Sequence, residues 1–129
     1  MKIRTILLAL LAAFISSAAL VAQEPVTGVA DPESLFKDSN PKYNRNKQAS
    51  LYIMRELLQC GQWDRAGEWL TERYIQHNPN AASGRAGVVH FFTNVMKVKR
   101  QPTCGKLTTP IVAVTADGDY VTVMIPRTY

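Results

Sequence analysis

The feature that most constrains this chain is a change of hydrophobic period partway along it. Up to Met96 the apolar residues recur at three- and four-residue steps; beyond Pro110 they gather into short β-rich runs. Ile111-Val112-Ala113-Val114-Thr115 reads as one strand and Tyr120 to Ile125 as another, joined by Ala116-Asp117-Gly118-Asp119. Asp-Gly between two such runs is a strong hairpin cue, because glycine accepts the positive φ that tight hairpin turns demand. A chain that is helical first and sheet-forming last cannot be an all-helical bundle. The helices and strands do not alternate regularly either, so the expected class is α+β rather than doubly wound.

Three helices are expected before the hairpin. Asn40-Pro41 looks like a start, with proline tolerated in the first turn. From Tyr43 to Cys60 the residues Ala49, Tyr52, Ile53, Leu57 and Cys60 form a stripe that Leu51, Met54 and Leu58 widen, and Gly61 is a natural stop. A short second helix follows, capped by Asp64, with Trp63, Ala66, Gly67 and Leu70 along one side. The third opens at Ser83-Gly84 and carries the clearest pattern, Val88, Phe91, Phe92, Val95 and Met96 at offsets 0, 3, 4, 7 and 8, ending at Gln101-Pro102. Between the second and third lies Arg73 to His77, a brief extended segment in which Tyr74 and Gln76 point opposite to Ile75 and His77. Asn78 precedes a proline, which keeps it out of the helical region.

The N-terminus bounds the compartment. Met1-Lys2-Ile3-Arg4 is a basic start, Thr5 to Ala22 carries no charge, and the run ends in small residues. That order predicts a secretory signal peptide over residues 1–22, cleaved after Ala22 or Ala19, which makes the protein secreted or periplasmic and free of the membrane after cleavage. Residues 23–40, rich in Pro, Gly and charge with little periodicity, read as a linker, leaving 41–129 as the domain. Losing Lys2 and Arg4 lowers Lys plus Arg from 15 to 13 against 10 acidic residues, a formal +3. That is too mild for a nucleic-acid surface. In an exported chain Cys60 and Cys104 are a disulfide candidate, worth ~4 kcal/mol in the chain-entropy model, with free buried thiols as the other reading. They have no metal-ligand spacing.

The element order and the wording of residues 63 to 92 together resemble the SnoaL-like branch of the nuclear transport factor 2-like superfamily. The matching residues are Trp63-Asp64 with Ala66, then Tyr74-Ile75-Gln76-His77-Asn78-Pro79, then Gly84-Arg85 and Gly87-Val88-Val89-His90-Phe91-Phe92, with the strands around Asp117-Gly118-Asp119. The resemblance covers about residues 42 to 126. It implies a cone-shaped fold in which three helices wrap a curved mixed sheet and a pocket opens at the wide end. Characterised members are polyketide cyclases that close a ring by intramolecular aldol condensation with no metal and no organic cofactor, and many relatives keep the pocket without an assigned reaction.

Aldol closure needs a base beside a carbonyl and a donor for the enolate oxygen, and a histidine suits either task. His77, at the end of the first strand with its ring inward, is the candidate catalytic residue. Trp63, Tyr74, Phe91 and Phe92 are the candidate pocket lining, fit for a small apolar or carbonyl-containing ligand. Plainer roles stand beside these: His77 holding a corner, Phe91 and Phe92 packing, His90 solvated, Arg85 a surface cation, Asp117 and Asp119 serving the turn. The family pattern continues into further strands, the last often carrying an acid that faces the histidine. Here no Asp or Glu follows Asp119, so the domain is expected to be C-terminally incomplete, or its sheet completed by a partner chain, a homodimer among the options. Two functions follow: cofactor-free acid–base chemistry on a carbonyl compound, or a non-enzymatic ligand-binding or protein-interaction domain.

Overall fold

A computed structural model describes residues 25–127; the expected signal peptide at residues 1–22 lies outside the described residues. The class is mixed α+β. A 3-10 helix, Pro32–Phe36, leads into helix α1, Pro41–Tyr52, which continues as a π-helical stretch, Ile53–Gln59. A second 3-10 helix, Trp63–Glu68, precedes helix α2, Arg85–His90, which also continues as a π-helical stretch, Phe91–Val95. Strands β1, Ala113–Asp117, and β2, Tyr120–Met124, close the described order.

Local chemistry explains the helix starts and stops. The Asn40 side chain accepts from the N–H groups of Lys42 and Tyr43 at 2.9 and 3.4 Å, and Pro41 fills the first turn. In both long helices the bonding pattern widens near the C-terminal end. Cys60 N–H donates to Arg55 O at 3.0 Å and Met96 N–H to Phe91 O at 2.8 Å, each five residues back. The wider turn shifts the apolar stripe, so Val95 and Met96 finish 59% and 56% exposed although their spacing marked them for the core. Gly61 ends the first helix at φ +64, with a Cβ there only 2.8 Å from Lys99 O, so both backbone and space require glycine. The third expected helix stops earlier than Gln101-Pro102: Lys97 turns left-handed at φ 53.

The described residues form an antiparallel two-stranded sheet in place of the expected curved mixed sheet. Val114 pairs with Val123 and Asp117 with Tyr120 across a Gly118-Asp119 turn, Gly118 at φ 56. Arg73 to His77 is not a strand. Its backbone is satisfied locally: Tyr74 N–H donates to Thr71 O, Gly84 N–H to Tyr74 O and Gln76 N–H to the Ser83 hydroxyl.

Two apolar clusters result. Phe36, Leu51, Leu107, Ile111 and Val114 form the sheet-side core, and Leu57, Trp63, Ala66, Leu70 and Val88 the helix-side core. The first helix serves both, Leu51 on one side and Leu57 on the other. The segment read as a linker belongs to the sheet-side core: Phe36 is fully buried, and Val29 N–H donates to Ile111 O at 2.8 Å. Cys60 and Cys104 are joined in a disulfide that closes a sequence separation of 44 residues.

Candidate functional site

A cavity of about 490 Å³ lies between the second 3-10 helix and the start of α2. Trp63, Ala66 and Val89 supply its apolar wall, and the small residues Gly67, Gly84 and Ala86 keep it open. Asp64, Glu72 and Arg85 bring charge to it. Trp63 is held face to face against Phe92, ring centroids 4.2 Å apart and planes within 5°, and Phe91 meets Phe92 edge-on at 5.2 Å. The aromatic residues that follow α2 therefore brace the cavity wall from behind.

The position of Arg85 follows from the loop before it. Gly84 takes φ +88, a conformation that side chains resist, and its N–H donates to Tyr74 O. That turn starts α2 with Arg85 as its first residue. Its guanidinium donates through Nη1 to Leu70 O at 3.1 Å and through Nη2 to Glu72 Oε1 at 3.4 Å. A guanidinium carries five N–H donors, so three remain without a partner among the described residues. Gly67 matters for the same reason: a Cβ there would sit 3.3 Å from Arg85 Nη1. Asp64 is answered by Arg100, Nε to Oδ1 at 2.9 Å, and this hydrogen bond holds its carboxyl below the ordinary aspartate range.

Of the residues singled out from sequence, Trp63 lines the cavity. Phe91 is buried and Phe92 half-buried behind it, and Tyr74 is half-buried against the helix-side core. The inward orientation expected of His77 is corrected: the residue is exposed, is not part of the cavity lining, and its backbone N–H donates to the Gln76 side chain at 2.8 Å. The alternation was right and its phase was inverted. Tyr74 and Gln76 face the protein, while Ile75, 68% exposed, and His77 face water. His90 is also exposed, its Nδ1 2.8 Å from the Asn94 side chain. Arg85, read as a surface cation, is a cavity residue. Its signal was the preceding glycine, and a lone Gly67 inside a helical pattern was a second hint of close approach.

Among the described residues no cluster of His, Cys, Asp and Glu is arranged to hold a metal ion, and no helix is long and apolar enough to cross a membrane. Compared with known proteins, the chain matches no family model, no curated protein and no solved structure.

Proposed function

We propose that this protein is an exported SnoaL-like pocket domain that binds a small, flat, mostly apolar ligand bearing a carbonyl oxygen. The observation that carries this reading is Arg85. It brings uncommitted N–H donors to a cavity whose other wall is the Trp63 ring, a pairing suited to an aromatic ketone. The Trp63 ring and the Val89 side chain would cover the flat skeleton while the guanidinium holds the oxygen. Binding is favoured over aldol catalysis because no histidine lines the cavity and the Glu72 carboxylate there is engaged by Arg85, Nη2 to Oε1 at 3.4 Å. His77 is outside the cavity, and Asp64, ionised and held low by Arg100, is a poor proton acceptor at neutral pH. The disulfide is compatible with an oxidising compartment and so with export.

The test is a panel of planar aromatic ketones and their deoxy analogues, read by thermal stabilisation and tryptophan fluorescence. The ketones should stabilise the protein more than the deoxy compounds. Arg85→Met should weaken ketone binding about tenfold or more, the ~1.5–3 kcal/mol of a hydrogen bond to a charged group, and His77→Leu should leave it unchanged. A ligand response lost with His77→Leu and kept with Arg85→Met would refute this site and restore the histidine-centred one.

A further inference from the structure

Charge is laid out unevenly along this chain. Between Glu72 and Asp117 there is no acidic residue, while Arg73, Arg85, Lys97, Lys99, Arg100 and Lys106 all fall in that interval. Arg85 belongs to the cavity and Arg100 is held by Asp64, which leaves Lys97, Lys99 and Lys106 close together in the chain. None of the three pairs with a carboxylate among the described residues, although the charge of Glu33 partly offsets Lys106. Beside them the π-helical stretch Phe91–Val95 runs out into water. Thr93, Asn94, Val95, Met96 and Lys97 are all exposed, and together they cover about a full helical turn even where the turn is widened. The helix end is therefore wet on every side, a tip that carries Val95 and Met96. Past it Lys97 turns left-handed, and the chain returns to the body at Lys99, whose carbonyl packs against Gly61. Gln101 N–H donates to Cys60 O at 2.8 Å, Gln59 Nε2 donates to Lys106 O at 2.9 Å, and the disulfide joins Cys60 to Cys104. These ties hold the lysine-bearing segment against the end of the first helix, behind the tip.

We propose that this tip and its lysines dock the protein on an anionic lipid surface. Val95 and Met96 enter the boundary between headgroups and acyl chains, and Lys97, Lys99 and Lys106 meet the lipid phosphates. A small apolar protrusion gains by leaving water for hydrocarbon and needs no matching groove. Lysine suits its rim, since the four-carbon stem lies along apolar surface while the ammonium reaches the headgroups. Each cation near an anionic bilayer adds its own attraction, so three suffice on a chain whose net charge is small. A nucleic acid is the poorer match, because Val95 and Met96 have no ring to stack on a base. The contact is peripheral: among the described residues no helix is long and apolar enough to cross a membrane. The expectation of a protein free of the membrane gives way to reversible attachment. The cavity shares no residue with the tip, so its reading neither supports the proposal nor depends on it.

Co-sedimentation of the mature chain, from Gln23 on, with two kinds of vesicle tests the proposal. One kind is phosphatidylcholine alone and the other phosphatidylcholine with about one-third phosphatidylglycerol. The protein should bind the anionic vesicles, leave the neutral ones, and come off in ~0.5 M salt, where charges are screened over a short distance. Lys97→Gln and Lys99→Gln should each weaken binding about fivefold. Met96→Ser should weaken it about tenfold, through the loss of one apolar side chain from the bilayer. All three positions are exposed, so the unfolding midpoints should stay where they are. Tyr120→Ser is the control: Tyr120 is 81% exposed but sits beside Asp117 and Asp119, and its loss should leave binding unchanged. Heparin serves as a soluble polyanion for comparison. No binding to the anionic vesicles, or equal binding to the neutral ones, would overturn the proposal. So would losses with the lysine variants while Met96→Ser binds as before, because then no apolar tip enters the bilayer. Heparin binding without vesicle binding would overturn it too, and would make the lysines a site for a soluble polyanion.

Discussion

The two cores differ in how completely they close. The sheet-side core is mostly aliphatic and draws on distant parts of the chain: Phe36 and Ile111 have no exposed surface, and Leu51 and Leu107 have 4% each. The helix-side core is built from a more local stretch and is lined by aromatic rings, with Trp69, Tyr74 and Phe92 packed against it. Trp69 stacks on Tyr52 at 4.4 Å as Trp63 does on Phe92. Among the described residues the buried indole N–H groups of both tryptophans have no hydrogen-bond partner, and Trp63 lines the cavity. Branched aliphatic side chains interdigitate, while stacked flat plates leave gaps at their edges and polar atoms that need geometry they do not get. The difference teaches where this molecule packs tightly and where it leaves a cavity.

The largest test of that division compares two like truncations. Leu51→Ala opens a hole in the sheet-side core, which has little freedom to collapse, and should cost about 4 kcal/mol; Leu70→Ala lies beside the cavity, where neighbours can shift, and should cost closer to about 2 kcal/mol. Urea unfolding with the disulfide intact measures both. Equal costs, or the reverse order, would break the comparison.

A smaller effect concerns acid. Glu33 Oε1 accepts from Leu107 N–H at 2.8 Å and from Arg55 Nη1 at 3.2 Å, tying the first 3-10 helix to the sheet-side core. Burial alone would raise its pKa; the Leu107 and Arg55 hydrogen bonds and the nearby cations outweigh burial and leave it below the ordinary glutamate value. A carboxylate with a lowered folded pKa stabilises fully above its unfolded value, and that stabilisation is lost as pH falls through the folded one. Glu33→Gln should therefore cost about 1–2 kcal/mol at pH ~7 and flatten the loss of stability below pH ~4.5. Chemical denaturation at neutral pH and at several acidic pH values reads both. An unchanged acid slope would place the pH sensitivity elsewhere, for instance in Asp38, which Lys47 holds low on the same side.

Those cores also show what could be read beforehand. The period change located both strands and the Asn40-Pro41 start is where the cap forms, because each rests on short-range chemistry; the cysteine pair, joined across 44 residues, was legible only as one of two readings of an exported chain. Phe36 was invisible, as one adjacent apolar pair, Leu35-Phe36, in a segment without periodicity gives no sign of its burial. The widening of both helices was equally hidden: the stripe through Val95 and Met96 assumes a constant turn, and five-residue bonding moves those residues to the surface. At Tyr74 to His77 alternation was legible and phase was not. Only the partner decides which face is inward, and here that partner is the helix-side core behind Tyr74. Arg85 was misread because its role depends on a cavity made by residues distant from it in sequence.

Gly67→Ala should give the smallest change in stability and the sharpest separation of the two roles. Gly67 is an exposed position of the second 3-10 helix and needs no left-handed backbone, so the methyl group stiffens the unfolded chain at little native cost. Among the described residues the atoms nearest the new Cβ, its chain neighbours aside, belong to the end of the Arg85 side chain, Nη1 at 3.3 Å, and a flexible guanidinium can move aside. The unfolding free energy should change by less than about 0.5 kcal/mol. Under the proposed binding mode the cost falls on the ligand instead, because the shifted guanidinium would no longer stand where a carbonyl oxygen would meet it. Retained stability with a lost ketone-induced shift in Tm is the expected pair of results. Retained ketone binding would mean that the room beside Arg85 is incidental, and that the looseness of the aromatic core is poor packing with no use.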